Sequence, residues 1–136
     1  MSLAFKLALL GTCVLLAACR SSQQAAEQKS AAQIARAVEV LREAPNAAKA
    51  EPLAQLSKLP CSGADVCQTR DACSSAYTLH VDAVALTAAA KQKLGDDDPL
   101  AAAKLLNASE QKLKDADVKV TQCTDLEGAL RRRHKL

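Results

Sequence analysis

Bulky aromatic side chains are almost absent from this 136-residue chain. It has no Trp and one residue each of Phe, Tyr and Met, of which only Tyr77 lies beyond the first 18 residues. In contrast, 29 positions are Ala, and β-branched residues are few. Since strands favour β-branched and aromatic residues, this composition argues against a barrel or a β-sandwich. It favours helices that pack through Leu, Val and Ala.

The chain also lacks a strong excess of either charge. Its 18 Lys and Arg residues and 15 Asp and Glu residues give a net charge of +3. The strongest cluster is basic and occupies the end of the sequence: Arg131, Arg132, Arg133 and Lys135. These cations could contact an anionic surface, such as lipid phosphates or an acidic partner, rather than nucleic acid. Alternatively, they only stabilise the carbonyl end of a last helix.

The first 19 residues form a distinct segment. Lys6 precedes a short apolar stretch over residues 7–16, and the sequence LAAC follows at residues 16–19. The apolar stretch is too short to span a bilayer and has the parts of an export signal. The segment resembles the signal of bacterial lipoprotein precursors, in which a lipid-bearing Cys follows two small residues. An ordinary export signal, with Cys19 as an incidental thiol, is the alternative.

The resemblance implies a membrane-anchored product. Residues 1–18 would be removed, and Cys19 would carry diacylglycerol and be acylated on its new amine. Arg20 follows Cys19 in place of the Asp that retains lipoproteins of enteric bacteria in the inner membrane. We therefore expect a lipid anchor in the cell envelope, at the outer membrane and facing the periplasm. Residues 19–33 are interpreted as the lipidated end and a polar spacer, and residues 34–136 as a helical domain with a basic tail.

Four cysteines remain after Cys13 leaves with the signal and Cys19 takes the lipid: Cys61, Cys67, Cys73 and Cys123. An even number in an exported chain predicts two disulfides. A metal site that includes His80 is the rival interpretation, but a Cx5Cx5C spacing is unlike that of a zinc knuckle. We therefore expect no metal ion and no cofactor.

Helix geometry ranks the three possible pairings. If residues 65–94 form one helix, Cys67 and Cys73 are about 9 Å apart along its axis, too far for a disulfide. A hairpin centred near position 96.5 places Cys123 opposite position 70, which is equally far from Cys67 and Cys73. The hairpin alone therefore does not choose between these two partners for Cys123. Cys61 reaches Cys67 through a short loop, so we favour Cys61 with Cys67 and Cys73 with Cys123.

Apolar spacing and capping residues predict the helices. A stripe from Ala31 to Leu41 ends before Pro45, and a connector helix lies between Pro52 and Pro60. After the central helix, Gly95 suits a left-handed C′ position, and Asp98 and Pro99 suit the N-cap and first position of the next helix.

On that last long helix a seven-residue repeat predicts the packing seam, formed by Leu106, Leu113 and Val120 and flanked by Leu105, Ala102 and Ala116. A break is expected at residues 121–125, with Asp125 capping a final short helix. The predicted fold is all-α, a small bundle of three or four helices built on a disulfide-locked antiparallel hairpin.

No catalytic arrangement is visible in the sequence. His80 lacks a second polar group at the spacing of a zinc or acid–base motif, and Asp96–Asp98 suit a capped turn better than a calcium loop. We expect a non-enzymatic binding or scaffold protein with an envelope protein as partner. The alternatives are a small helical inhibitor or immunity-type protein for an exported enzyme and, least favoured, a thiol redox protein. The heptad repeat leaves self-association open.

Overall fold

Helices make up nearly all of the chain. The computed structural model describes the backbone of residues 4–136 and the side chains of residues 21–136. It contains a single turn of 3-10 helix at Asn46–Ala48 and four α-helices: α1 (Ala4–Glu43), α2 (Ala50–Lys58), α3 (Ala64–Gly95) and α4 (Pro99–His134). The described residues include no strand. The predicted all-α bundle on a disulfide-locked hairpin is therefore confirmed.

The turn between α3 and α4 sets the register of the hairpin. Asp98 caps α4 as predicted, since its Oδ1 accepts a hydrogen bond from the backbone N–H of Ala101 (3.1 Å), and Pro99 is the first helical residue. Gly95, however, does not take the left-handed position, because α3 continues through it. Asp97 adopts the positive φ instead, at 57°. The turn is therefore centred later than the sequence predicted.

The later turn brings the two buried cysteines directly opposite each other. Cys73 and Cys123 form a disulfide with their Cα atoms 4.7 Å apart, and Thr87 and Ser109 face each other with 3.0 Å between their hydroxyl oxygens. Both pairs are symmetric about position 98, so Cys123 lies opposite Cys73 rather than opposite position 70. The second disulfide joins Cys61 to Cys67 at a Cα separation of 5.1 Å. Both pairings agree with the favoured prediction.

The two long helices pack through a seam of mostly small side chains. Buried residues recur at every seventh position of α4: Ala102, Ser109, Ala116, Cys123 and Leu130. A matching repeat runs along α3: Thr69, Ala76, Ala83 and Ala90. Short side chains at the contact reduce the distance between two packed helices. The Ser109 hydroxyl can therefore donate a hydrogen bond across the seam to the Ala83 carbonyl oxygen (2.8 Å).

The heptad predicted from the leucines is therefore not the seam. Leu106 and Leu113 remain 45% and 44% exposed, and Val120 is half-buried. The disulfide explains the difference, because it requires Cys123 to face α3. Ala116 lies one heptad earlier and therefore faces α3 as well. The leucine repeat is offset by four residues from this seam, so it lies on one side of the hairpin.

The predicted break in α4 is also absent. The helix continues through residues 121–125, and Asp125 is an exposed residue in its interior rather than a cap. The hydroxyls of Thr121 and Thr124 donate hydrogen bonds to carbonyl oxygens four residues earlier in the same helix (3.1 and 2.9 Å). Their polar groups are thus satisfied without a turn. The disulfide at Cys123 holds this part of α4 against α3.

Helices α1 and α2 cover only one end of the hairpin. Helix α1 packs against the beginning of α3 and the end of α4, and α2 packs against α1 and α3. The shared core contains Ile34, Val38, Leu41, Leu53, Leu56, Val66, Tyr77 and Leu130. Packing begins inside the predicted spacer, because Ser30 and Ala31 are already buried. The Ser30 hydroxyl donates to the Pro60 carbonyl oxygen (3.2 Å) and accepts from the Ser62 N–H (3.1 Å). The packed region thus starts four residues before position 34.

Candidate functional site

One side of the hairpin carries an apolar surface that the rest of the bundle leaves uncovered. We define the hairpin stripe as Val84 of α3 with Leu106 and Leu113 of α4. Val84 is half-buried, and the two leucines are almost half exposed. Leu106 and Leu113 are seven residues apart, so they lie in line along α4 at a spacing of about 10 Å.

The hairpin stripe continues the surface on which α1 and α2 pack. Seven residues before Val84 is Tyr77, which belongs to the core, and seven residues after Leu113 is Val120, which packs against that core. Since helix faces repeat at seven residues, the covered and uncovered parts form one continuous face. Two further leucines beside the turn, Leu94 and Leu100, are 55% and 68% exposed.

The basic residues predicted at the end of α4 divide into two groups. Arg131 is paired internally, with its Nε 2.9 Å from Glu127 Oε1 and its Nη2 3.6 Å from Glu39 Oε2. Arg133, Arg132 and Lys135 are exposed, and we call these three residues the basic pole. Among residues 21–136, only Arg133 of this group has a carboxylate partner, Asp65 (3.0 Å).

Asp65 joins the start of α3 to the end of α4. Its Oδ2 accepts from both Arg133 Nη1 (3.0 Å) and His134 Nε2 (3.1 Å). Burial would raise the pKa of the Asp65 carboxyl, but the hydrogen bonds from Arg133 and His134 hold that pKa below its ordinary value. Part of the basic cluster is therefore held in ion pairs within the bundle.

A second charged contact joins α1 to α4. Arg42 donates to the buried carboxylate of Glu127, and this contact raises the pKa of the Arg42 guanidinium above its usual value. Glu127 also accepts from Arg131 within the same helix. Two guanidinium groups therefore neutralise one buried acid. Because these partners are up to 85 positions apart, sequence spacing offered no signal for the contact.

Lys49 is a buried cation that sequence reasoning missed. Its Nζ donates to the carbonyl oxygens of Leu41 and Arg42, both at 2.8 Å, and lies 5.6 Å from the centre of the Tyr77 ring. Lysine commonly satisfies the last carbonyls of a helix, and its position six residues after Glu43 was the available signal. Burial lowers the pKa of Lys49. Lys49 therefore connects the end of α1, through two carbonyl oxygens, to Tyr77 on α3.

His80 is half-buried on α3, next to the 3-10 turn. Its Nε2 lies 3.1 Å from Asn46 Oδ1. Burial, followed by the nearby positive charge of Lys49, lowers the pKa of His80. These contacts favour the neutral imidazole and give the residue a packing role between α3 and the chain that follows α1.

The disulfides differ in their exposure to solvent. Cys73 and Cys123 are 0% and 1% exposed, whereas Cys61 and Cys67 are half-buried. A thiol needs access to a sulfur atom for exchange. The hairpin disulfide is closed to such exchange in the folded protein, which favours a structural role for Cys73 and Cys123.

No family model, curated protein or solved structure matches this chain. The functional assignment therefore depends on its own residues and geometry. Within the part of the chain that the structure describes, no helix is both long and apolar enough to cross a membrane. The same residues contain no group of three or more His, Cys, Asp or Glu side chains arranged to bind a metal ion. The predicted lipidation site, Cys19, lies outside the described side chains.

Proposed function

We propose that this chain is a lipid-anchored bacterial envelope protein that acts as a non-catalytic binding or scaffold module. Cys19 carries the anchor, at the periplasmic face of the outer membrane, and the hairpin stripe binds a helix of another envelope protein. The stripe is the observation that carries the binding role, because it is a continuous apolar face to which the chain's own helices extend only part of the way.

The shape of the hairpin stripe favours a helical partner. At the covered end of the same face, a third helix, α1, packs against both α3 and α4. A partner helix in line with α1 would meet Val84, Leu106 and Leu113 in the same way. Full burial of a Leu side chain contributes about 1.5–3 kcal/mol. Covering the half-exposed leucines therefore contributes about 1 kcal/mol each, before contacts from the partner's other residues.

Photocrosslinking in cells tests this function. A photoreactive amino acid is placed at Leu106 or Leu113, and in matched controls at Lys104 or Gln111, which are exposed on the other side of α4. We expect both stripe positions to crosslink to the same envelope protein and the control positions to give no such product. Equal crosslinking from both sides, or crosslinks only to a second copy of this chain, would contradict the proposal.

A substitution strengthens that experiment. With the crosslinker at Leu113, Leu106→Glu should abolish the product, because a carboxylate cannot be buried against an apolar helix without a large desolvation penalty. The melting temperature should change little, since Leu106 is already 45% exposed. The control Lys104→Glu should leave the product intact. A product that survives Leu106→Glu would show that the stripe is not the binding surface.

A further inference from the structure

The basic pole lies beside the part of α1 that leads to the predicted anchor. Gln28 Nε2 donates to the His134 carbonyl oxygen (3.2 Å). Gln24 and Gln28 line a shallow crevice together with Arg133, His134 and Lys135. The end of α4 and the turns of α1 that contain Gln24 and Gln28 therefore occupy the same end of the bundle.

Chain length limits how far Cys19 can be from this pole. Ser21 to Gln24 spans three helical residues, or about 4.5 Å. Cys19 precedes Ser21 by two residues, which reach at most about 7 Å in any conformation. Cys19 is therefore at most about 12 Å from Gln24. Along α1, which is helical through both residues, the separation is about 7.5 Å, within the Debye length of about 8 Å at physiological salt. A lipid at Cys19 would bring headgroups within the electrostatic range of the basic pole.

The charges at this end remain largely uncompensated. Arg132 and Lys135 are exposed and pair with no carboxylate among residues 21–136. Arg133 shares its one acid, Asp65, with His134. The neighbouring surface of α1 adds one acid and one base, Glu27 and Lys29, whose charges cancel. The net charge that faces the anchor is therefore positive.

We propose that the basic pole, Arg132, Arg133 and Lys135, binds anionic phospholipid headgroups of the leaflet that holds the Cys19 lipid. This second membrane contact depends on the proposed anchor. Each basic side chain close to an anionic membrane strengthens binding about fivefold, so the two cations without a carboxylate partner, Arg132 and Lys135, strengthen it on the order of 25-fold. The acyl chains anchor the protein in the membrane, and the basic pole holds the end of α4 against the headgroups.

The contact also sets the orientation of the hairpin. Leu113 and Leu106 precede Arg133 on α4 by 20 and 27 residues, or about 30 and 40 Å along the helix axis. With the pole on the headgroups, α4 leads away from the membrane and carries the hairpin stripe outward. The stripe would thus meet its partner well clear of the lipid surface.

Acetylation of lysines in the lipidated protein tests the contact. Protein in phosphatidylglycerol-containing vesicles or in pure phosphatidylcholine vesicles is treated with an amine-acetylating reagent, and modification is followed by mass spectrometry. Lys135 reports on the pole, and Lys104, exposed near the far end of the hairpin, is the control within the same molecule. We expect Lys135 to react at least fivefold more slowly in the anionic vesicles, while Lys104 reacts at the same rate in both.

A variant and a competing anion distinguish headgroup binding by the basic pole from binding of free phosphate. Arg132→Gln, which removes a cation without an ion pair, should restore most of the Lys135 reactivity, whereas Lys91→Gln, a matched change near the turn, should not. Inorganic phosphate with phosphatidylcholine vesicles should give no protection; protection there would identify a free-phosphate site and overturn the proposal. Equal Lys135 rates in the two vesicles would also overturn it.

The intact mass of the starting protein distinguishes the two proposals. A mass without acyl chains would refute the anchor and, with it, the proposed function. Acylated protein with an unprotected Lys135 would refute only the headgroup contact.

Discussion

The two disulfides should differ clearly in how much they stabilise the protein. Cys73 and Cys123 are separated by 50 positions, and Cys61 and Cys67 by only 6. A crosslink restricts the unfolded chain more when it closes a longer loop. The chain-entropy relation assigns about 4 kcal/mol to the long loop and about 2 kcal/mol to the short one.

Burial adds to this difference. Cys73 and Cys123 lie in the core, where truncation to Ala also leaves small cavities, whereas Cys61 and Cys67 are partly exposed. We therefore expect Cys73→Ala/Cys123→Ala to lower the free energy of unfolding by at least 4 kcal/mol. Since small domains are stable by only about 5–15 kcal/mol, this variant should lose a large fraction of its stability. The matched Cys61→Ala/Cys67→Ala variant should lose about 2 kcal/mol.

Urea unfolding of the two double variants measures these values. Both are made in a Cys13→Ser/Cys19→Ser background, which carries no acyl chains and no free thiol, and unfolding is followed by far-ultraviolet circular dichroism. The m-value should rise most when the long crosslink is removed, because the unfolded chain then exposes more surface. Equal losses for the two variants, or a larger loss for the short loop, would refute the loop-length reasoning.

Two further substitutions and a pH series test the packing and the charged contacts. Ser109→Leu places a bulky side chain in the small-residue seam against Ala83 and should cost about 1–3 kcal/mol, measured as a lower melting temperature. Lys49→Met leaves two carbonyl oxygens at the end of α1 without their buried donor and should cost about 2 kcal/mol in urea unfolding. Acid should weaken the fold in two steps. The lowered pKa of His80 predicts a loss that begins below about pH 6.5, and the lowered pKa of Asp65 a second loss that begins below about pH 3.9.

Each of these predictions has a clear contrary result. An unchanged melting temperature for Ser109→Leu would mean that the seam can widen without cost. Full stability of Lys49→Met would mean that water replaces the ammonium group. In the pH series, the urea midpoint is measured from about pH 8 to about pH 2, with His80→Gln and Asp65→Asn as the variants that should each lose one step. Two steps that persist in both variants would assign the acid sensitivity to other groups.

Local signals in the sequence were sufficient for most helix ends, although they also predicted a break at residues 121–125 that α4 does not have. Pro45 stops α1 and the Asp98–Pro99 pair starts α4, because capping depends on residues within one turn of each other. The same is true of the disulfide pairings. A rigid helix excludes Cys67 with Cys73, and a short loop brings Cys61 to Cys67. These are properties of neighbouring residues, so they can be inferred without tertiary contacts.

The faces that pack required the complete fold. Two seven-residue repeats run along α4, one of small residues and one of leucines, and hydrophobicity alone favours the leucines. The small residues form the seam because they allow close approach and because Cys123 must meet Cys73. A shift of the hairpin centre from 96.5 to 98 was enough to change which residues face each other, and it resulted from the left-handed conformation of Asp97 rather than Gly95.

Contacts between residues far apart in sequence were likewise beyond prediction. Asp65 meets Arg133 and His134 across 68 and 69 positions, and Gln28 meets the end of α4 across 106 positions. Helix periodicity identifies which residues share a face, but a charged side chain can reach any partner that folding brings near. The sequence thus determined a cysteine-locked set of helices and predicted that they are exported. The packing of α1 against the hairpin placed the basic pole beside the predicted anchor and left Leu106 and Leu113 uncovered.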